Sequence, residues 1–314
     1  MKKRTIILFL FLLCLACQEK KITPGPLLDS LALSKQYICT SWEDAFREPA
    51  KVYMLFLHGR NLSKLSPKIG KFVNLQWLNL ESNKLTELPV EIGNLTNLQV
   101  LNLNDNDLKQ LPAEIGNLTN LNELWLGANQ LTQLPVEIGN LTNLKVLILD
   151  KNNIAQLPGE IGNLTNLIQL RIVMNQLIQL PAEIGNLTHL QYLNLYGNQL
   201  TQLPSEFGKL TNLKVLNLNS NKLKQLPAEI GNLTNLEELY IPCNILTKIP
   251  AEIGKLTNLQ QLDLTGNRLT QLPEEISKLQ NLKVLRLVAN DDLEPNLDKI
   301  RKKFPHTTIY PIHH

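Results

Sequence analysis

The sequence predicts an α/β solenoid, in which short units each supply one strand and one helical turn and stack into a single parallel sheet. Three observations predict it. Aligned on Leu75, Leu98, Leu121, Leu144, Leu167, Leu190, Leu213, Leu236, Leu259 and Leu282, the chain repeats with an unbroken 23-residue period, and one further unit back to Val52 makes eleven. A fixed period of roughly 20–50 residues marks repeat architectures. Within each unit the spacing Leu-x-Leu, as in Leu124-Trp125-Leu126, is strand periodicity that sends both leucines into the core and the middle residue outward. The segments on either side of the array depart from the repeat, as covers for its two ends must.

The first element is a leader. Residues 1–16, "MKKRTIILFLFLLCLA", combine a basic start with an apolar run and a small residue, which reads as an export signal too short for a comfortable transmembrane helix. Removing it also removes Lys2, Lys3 and Arg4, which brings the 31 basic residues level with the 28 acidic ones. A neutral mature chain has no general attraction to nucleic acid or to anionic lipid, and no nucleic-acid partner is expected. The residues "LCLAC" ending at Cys17 resemble the lipobox of bacterial lipoproteins, with Cys14 standing where that family usually has Leu. The resemblance implies acylation of Cys17 and attachment to a membrane through a lipid anchor. A secreted protein cut by ordinary signal peptidase is the alternative. Residues 17–26 then carry the anchor and a polar tether, "QEKKITPGP".

Residues 27–51 form the expected N-terminal cap. Ser41 followed three residues later by Asp44 is a helix start, Trp42, Ala45 and Phe46 supply its apolar side, and Pro49 stops it. Of the remaining cysteines, Cys39 and Cys243 fall about 38 Å apart along such an array at ~4.8 Å per strand, too far for a disulfide.

Each unit of residues 52–292 spells LxxLxLxxNxLxxLPxEIGNLTN. This line resembles the leucine-rich repeat family, and the resemblance implies a horseshoe with a parallel sheet on its concave face and short helical turns on its convex face. It also implies a stacked ladder of asparagines: Asn83, Asn106, Asn129, Asn152, Asn175, Asn198, Asn221, Asn244, Asn267 and Asn290. An asparagine has both donors and an acceptor with which to satisfy the backbone as it leaves the strand. Arg60 replaces it in the first unit. In "LPAEIG", Pro112 suits the first position of a helical turn and Gly116 its end. Seven apolar residues per unit do not offset the ordering of 23, so no unit folds alone. Residues 293–314 are the expected C-terminal cap, with "NLDKIRKKF" as an amphipathic helix and "TTIYPI" as a final strand.

Several signals that look chemical belong to the repeat. Asn-Leu-Thr at Asn94, Asn117, Asn140, Asn163, Asn186 and Asn232 is a formal glycosylation acceptor, but its spacing is the repeat period and its Leu a core position. The glutamates Glu91 through Glu275 form a row along the convex side, whereas acid–base catalysis needs carboxyls that converge in a cleft. His58, His189, His306, His313 and His314 lack metal-ligand spacing. Some exported bacterial arrays continue into a cysteine-based ubiquitin-ligase domain, but the residues after 292 hold no Cys. No cofactor, metal or catalytic residue is assigned, and an enzyme is not expected.

Information is left for the outward strand positions. In the second unit onward the middle of Leu-x-Leu is Asn79, Asn102, Trp125, Ile148, Arg171, Asn194, Asn217, Tyr240, Asp263 and Arg286, so three successive units break the asparagine default. Val146, Gln169, Tyr192, Asp150, Lys151, Val173, Met174 and Tyr196 flank that break. Trp, Tyr and Arg dominate binding hot spots. The expected contact residues are Trp125, Ile148, Arg171, Val173, Met174, Tyr192, Tyr196 and Tyr240. The reading is an exported binding module for an unidentified protein, with a glycan as second choice, serving adhesion to host or matrix proteins; a periplasmic envelope scaffold is the alternative. The sequence is silent on oligomeric state.

Overall fold

The computed structural model describes residues 33, 36, 38–290, 292–293, 301–302 and 304–310. The leader, Cys17, the tether, His313, His314 and most of the expected C-terminal helix lie outside the described residues. Among the described residues no helix is long and apolar enough to cross a membrane.

The repeat folds into one sheet of 13 parallel strands arranged in sequence order. β1 (Ile38–Cys39) and β2 (Met54–Phe56) open it, and β3 (Trp77–Asn79), β4 (Val100–Asn102), β5 (Glu123–Trp125), β6 (Val146–Ile148) and β7 (Gln169–Arg171) follow. β8 (Tyr192–Asn194), β9 (Val215–Asn217), β10 (Glu238–Tyr240), β11 (Gln261–Asp263), β12 (Val284–Arg286) and β13 (Thr308–Tyr310) complete it. The register carries the period: Leu124 pairs with Leu147, and Trp125 with Ile148. A period shared by every unit leaves no slip that would keep the leucines inside. In the unit from 121 to 143, Leu121, Leu124, Leu126, Leu131, Ile138 and Leu141 are fully buried and Leu134 nearly so.

Ladder asparagines knit each unit to the one before. Asn129 donates through Nδ2 to the Leu103 carbonyl at 2.9 Å and to its own strand end at Leu126, while its Oδ1 accepts from the Leu108 N–H at 3.0 Å. In the first unit Arg60 instead sends its guanidinium to the Thr40 carbonyl of the cap. A second ladder runs along the rim before the strands: the last Asn of Asn-Leu-Thr-Asn, as Asn120 or Asn143, donates to a backbone carbonyl of the preceding unit. His189 replaces this Asn and reaches the equivalent Thr165 carbonyl through Nδ1 at 2.8 Å.

The convex turns are five-residue 3-10 helices, such as Ala113–Asn117. Two expectations about them are corrected. Pro112 is the residue before the helix, in extended conformation with ψ 151°, and its carbonyl accepts the Ile115 N–H that closes the turn. Gly116 does not end the turn by a left-handed cap; a Cβ there would stand 2.6 Å from the Glu137 carbonyl of the next unit. Glycine is required because neighbouring turns approach that closely.

The N-terminal cover contains α1 (Trp42–Arg47), capped by Ser41, whose Oγ accepts from the Asp44 N–H. Trp42, Phe46 and Phe72 stack over the end of the core. Trp77 belongs to this cover too: it meets Phe56 edge-on at 5.2 Å, beside Leu33, Met54 and Ile38. At the other end Thr307 donates to the Leu282 carbonyl, and Arg286 lies 5.2 Å from the centre of the Tyr310 ring. Cys39 and Cys243 are both free thiols.

Candidate functional site

The outward asparagines on the strands have a structural task. Asn79, Asn102, Asn194 and Asn217 each accept, through Oδ1, the backbone N–H two residues on, at 2.9 to 3.0 Å, and Asp263 does the same. This bond ends the strand and turns the chain into the rim. A unit that gives up the asparagine leaves that donor to be satisfied in some other way.

Where Trp125 replaces it, the Gly127 N–H turns to Oδ1 of Asn104 in the preceding unit, at 2.7 Å. Where Arg171 replaces it, the Val173 N–H turns to Oδ1 of Asp150 in the preceding unit, at 2.9 Å. Where Tyr240 replaces it, the residue two positions on is Pro242, which has no N–H at all. At Trp125, Arg171 and Tyr240 the freed donor is thus taken by the preceding unit or removed, whereas no bond to the Asp150 N–H after Ile148 or the Val288 N–H after Arg286 is formed among the described residues.

The register puts Trp125, Ile148 and Arg171 side by side on β5, β6 and β7. Tyr192 begins β8, with its hydroxyl accepting from Asn194 Nδ2, and Tyr196 follows it. Val173 and Met174 lie just past β7 on the rim, so these seven expected residues gather over four adjacent strands. Tyr240 stands apart on β10, with Asn217 of β9 between, and its hydroxyl engages Glu238 and Gln261. Burial and the Glu238 carboxylate push its pKa up to about 12.

The centre of the cluster is a charge pair. Arg171 Nη2 bonds Oδ2 of Asp150, which is the carboxylate that also holds Val173. Arg171 Nε and the indole nitrogen of Trp125 are buried without a hydrogen-bond partner. Glu123 lies two residues before Trp125; burial raises its pKa, against the opposing pull of the nearby indole and of Lys145. The indole leans toward that carboxylate without completing a well-formed hydrogen bond.

The rim beyond the strands carries a positive φ in unit after unit, at Ser82, Asp105 and Lys151 as well as at Met174. Met174 has φ 54° and is half exposed, and its side chain fills the space over Gly197 of the next unit, itself at φ 69°. A non-glycine residue at positive φ costs about 1 kcal/mol or more. Sequence reasoning missed two further exposed apolar residues, Ile168 on the rim before the strands and Ile178 past the ladder asparagine, where most other units carry polar residues. Comparing every column of the repeat, not the strand columns alone, would have found them in the same 23-residue unit.

Elsewhere, grooves of about 490 and 250 Å³ follow the rim before the strands. Asn235, Asn258 and Asn281, which line the first, are committed to backbone carbonyls of the preceding units. Among the described residues no group of three or more His, Cys, Asp or Glu is placed to hold a metal ion.

Against known families, the leucine-rich repeat region matches residues 55–131, 116–190 and 170–245, and a further leucine-rich repeat matches 234–291. The chain belongs to the leucine-rich repeat family. No curated protein matches it. Among solved structures, a Leptospira interrogans leucine-rich repeat protein is 31% identical, with 88% of this chain and 100% of that one covered and a TM-score of 0.45. The plant peptide hormone receptor RGFR1, in complex with RGF2, is 34% identical at TM-score 0.70, covering 82% of this chain and 43% of that one. The functional domain of InlJ from Listeria monocytogenes is 26% identical at TM-score 0.67, covering 77% and 50%. This chain therefore spans half or less of the latter two. A leucine-rich repeat fold in this company points to protein–protein interaction, and such a fold is typically a binding scaffold without enzymatic activity.

Proposed function

We propose that this leucine-rich repeat protein is exported, anchored through lipid on Cys17, and binds a protein partner on its concave face at the cluster on β5–β8. The observation that carries the reading is the repaired asparagine break: Trp125 and Arg171 each displace a structural side chain, and Asn104 and Asp150 take over its backbone bond. Aromatic and arginine anchors on a rigid sheet are the usual makings of a hot spot. Two of the similar structures support the direction, one a peptide hormone receptor seen with its peptide and the other an InlJ functional domain. The segmentation into leader (1–16), tether (17–26), cap (27–51), array (52–292) and terminal cap (293–314) is part of this proposal, as is adhesion to host or matrix proteins. A periplasmic envelope scaffold is the alternative to a host-facing role.

Three measurements test it. A captured partner should lose binding in Trp125→Ala and in Arg171→Ala, which leaves Asp150 unpaired, while Val284→Ala on β12 and the exposed Lys248→Ala retain it. Equal losses from all four would sink the patch. For the anchor, incorporation of labelled palmitate should vanish in Cys17→Ser, and complete protection from protease on intact cells would argue for the periplasmic reading.

A further inference from the structure

We infer that the concave patch takes an uncharged, apolar segment of its protein partner, and that Asp150 is the residue that sets this specificity. The inference rests on the proposed binding function and names its ligand class. An arginine flanked by Trp and Tyr ordinarily invites an acidic or phosphorylated ligand, because its planar fork matches a carboxylate or phosphate. Here that invitation is withdrawn within the free protein. Asp150 is largely buried, its side chain 15% exposed against 39% for Arg171, and it holds the guanidinium through Oδ2 while Oδ1 stays fixed on the Val173 N–H. Asp150 is tied to the backbone and cannot move away without leaving that N–H unpaired, so its counter-charge stays beside Arg171 and weakens the pull on a competing anion.

The other charges nearby form no such pair among the described residues and stand at the edges of the patch. Glu123 on β5 is opposed by Lys145, and Lys151 lies beyond the strand end on the exposed rim. What the patch offers a partner is the apolar surface of Ile148, Val173, Met174, Tyr192 and Tyr196 around a neutral centre. Complementarity to a neutral apolar surface is another neutral apolar surface, since a partner carboxylate would lose its hydration and find its counter-charge already taken. Four strands at ~4.8 Å span about 15 Å, room for an extended segment of about four or five residues.

The test uses the whole mature chain and a displayed library of random twelve-residue peptides. The wild type should enrich peptides rich in aliphatic and aromatic residues with no net charge. Their retention should fall about tenfold or more in Met174→Ser and in Trp125→Ala, and should change less than about twofold between low and physiological salt. Asp150→Asn keeps the acceptor for Val173 but frees the guanidinium, so it should shift the enriched set to Asp- and Glu-containing peptides with salt-sensitive binding. The double variant Asp150→Asn/Arg171→Gln drops both charges and should keep the wild-type peptides within about threefold. Acidic peptides enriched on the wild type and lost in Arg171→Gln would overturn the inference while leaving the concave site standing. Enriched peptides that survive both Trp125→Ala and Met174→Ser would overturn the concave site itself. No enrichment above background would overturn the inference.

Discussion

A single side chain in this array is judged by what it does for the unit before it. Asn129 makes hydrogen bonds to Leu103, Leu126 and Leu108, all buried, so Asn129→Ala leaves several groups unpaired and should cost about 2–3 kcal/mol by urea denaturation. His189 makes only the one rim bond to Thr165, and asparagine makes the same bond in neighbouring units. His189→Asn should therefore stay within about 0.5 kcal/mol of the wild type, and a larger loss would mean that the ring does something the hydrogen bond does not express. Glu123 behaves differently because burial raises its pKa. The folded state holds that proton more tightly than the unfolded chain, so its contribution is favourable in acid and is lost as pH rises through the folded pKa. Glu123→Gln should raise the urea midpoint at neutral pH, with the advantage disappearing near pH 4, roughly the ordinary carboxylate range. An equal gain at both pH values would exclude the carboxylate as the cause. Tyr240 shifts the same way at the alkaline end: the unfolded phenol ionises near its ordinary value and the folded one only at about 12, so stability should fall between the two. The fall should be smaller in Tyr240→Phe.

At the scale of the element, the strand and the turn were legible to different degrees. Leu124 and Leu126 flank an outward residue by simple alternation, and the strand they predict is the one that forms. The turn was harder to read, because Pro112 and Gly116 suit several positions in a helix and their reasons lie in the neighbouring unit. Gly116 is small because the Glu137 carbonyl of the next turn passes over it, a contact invisible within one repeat. Gly116→Ala should consequently cost about 1–3 kcal/mol, measured by thermal and chemical unfolding, although the alanine would suit an isolated helical turn better. A neutral result would place the constraint elsewhere. The outward asparagines hide their task differently, in a bond within their own unit. In sequence they look like filler between the anchors, but Asn102 and Asn217 hold the N–H that ends the strand. The residues of the candidate site could be picked out as departures, whereas their repairs at Asn104, Asp150 and Pro242 could be seen only once the bonds were drawn.

For the whole molecule, stability follows from a core with no centre. Each strand pairs only with its predecessor and successor, so the array approximates a one-dimensional chain of units in which loss begins at the ends. The ends are unequal. The N-terminal cover buries Ala45 and Phe72 completely and brings three aromatic rings over the last leucines. At the C-terminus β13 is exposed at both Thr308 and Tyr310, and the cover rests on Phe304, the Thr307 bond and the Arg286–Tyr310 contact. Native-state hydrogen exchange should therefore show protection highest over β5–β9, declining slowly toward β2 and steeply from β11 to β13. Protection that is uniform along the array would show that the eleven units unfold as one cooperative block and would defeat this account. The gradient bears on function because the candidate patch on β5–β8 sits on the interior, best-supported strands. A platform that does not need to order itself leaves more of the contact free energy as affinity. A bound partner should accordingly slow exchange at the rim amides near Val173 and Met174 while leaving the already protected strand amides of β5–β8 unchanged.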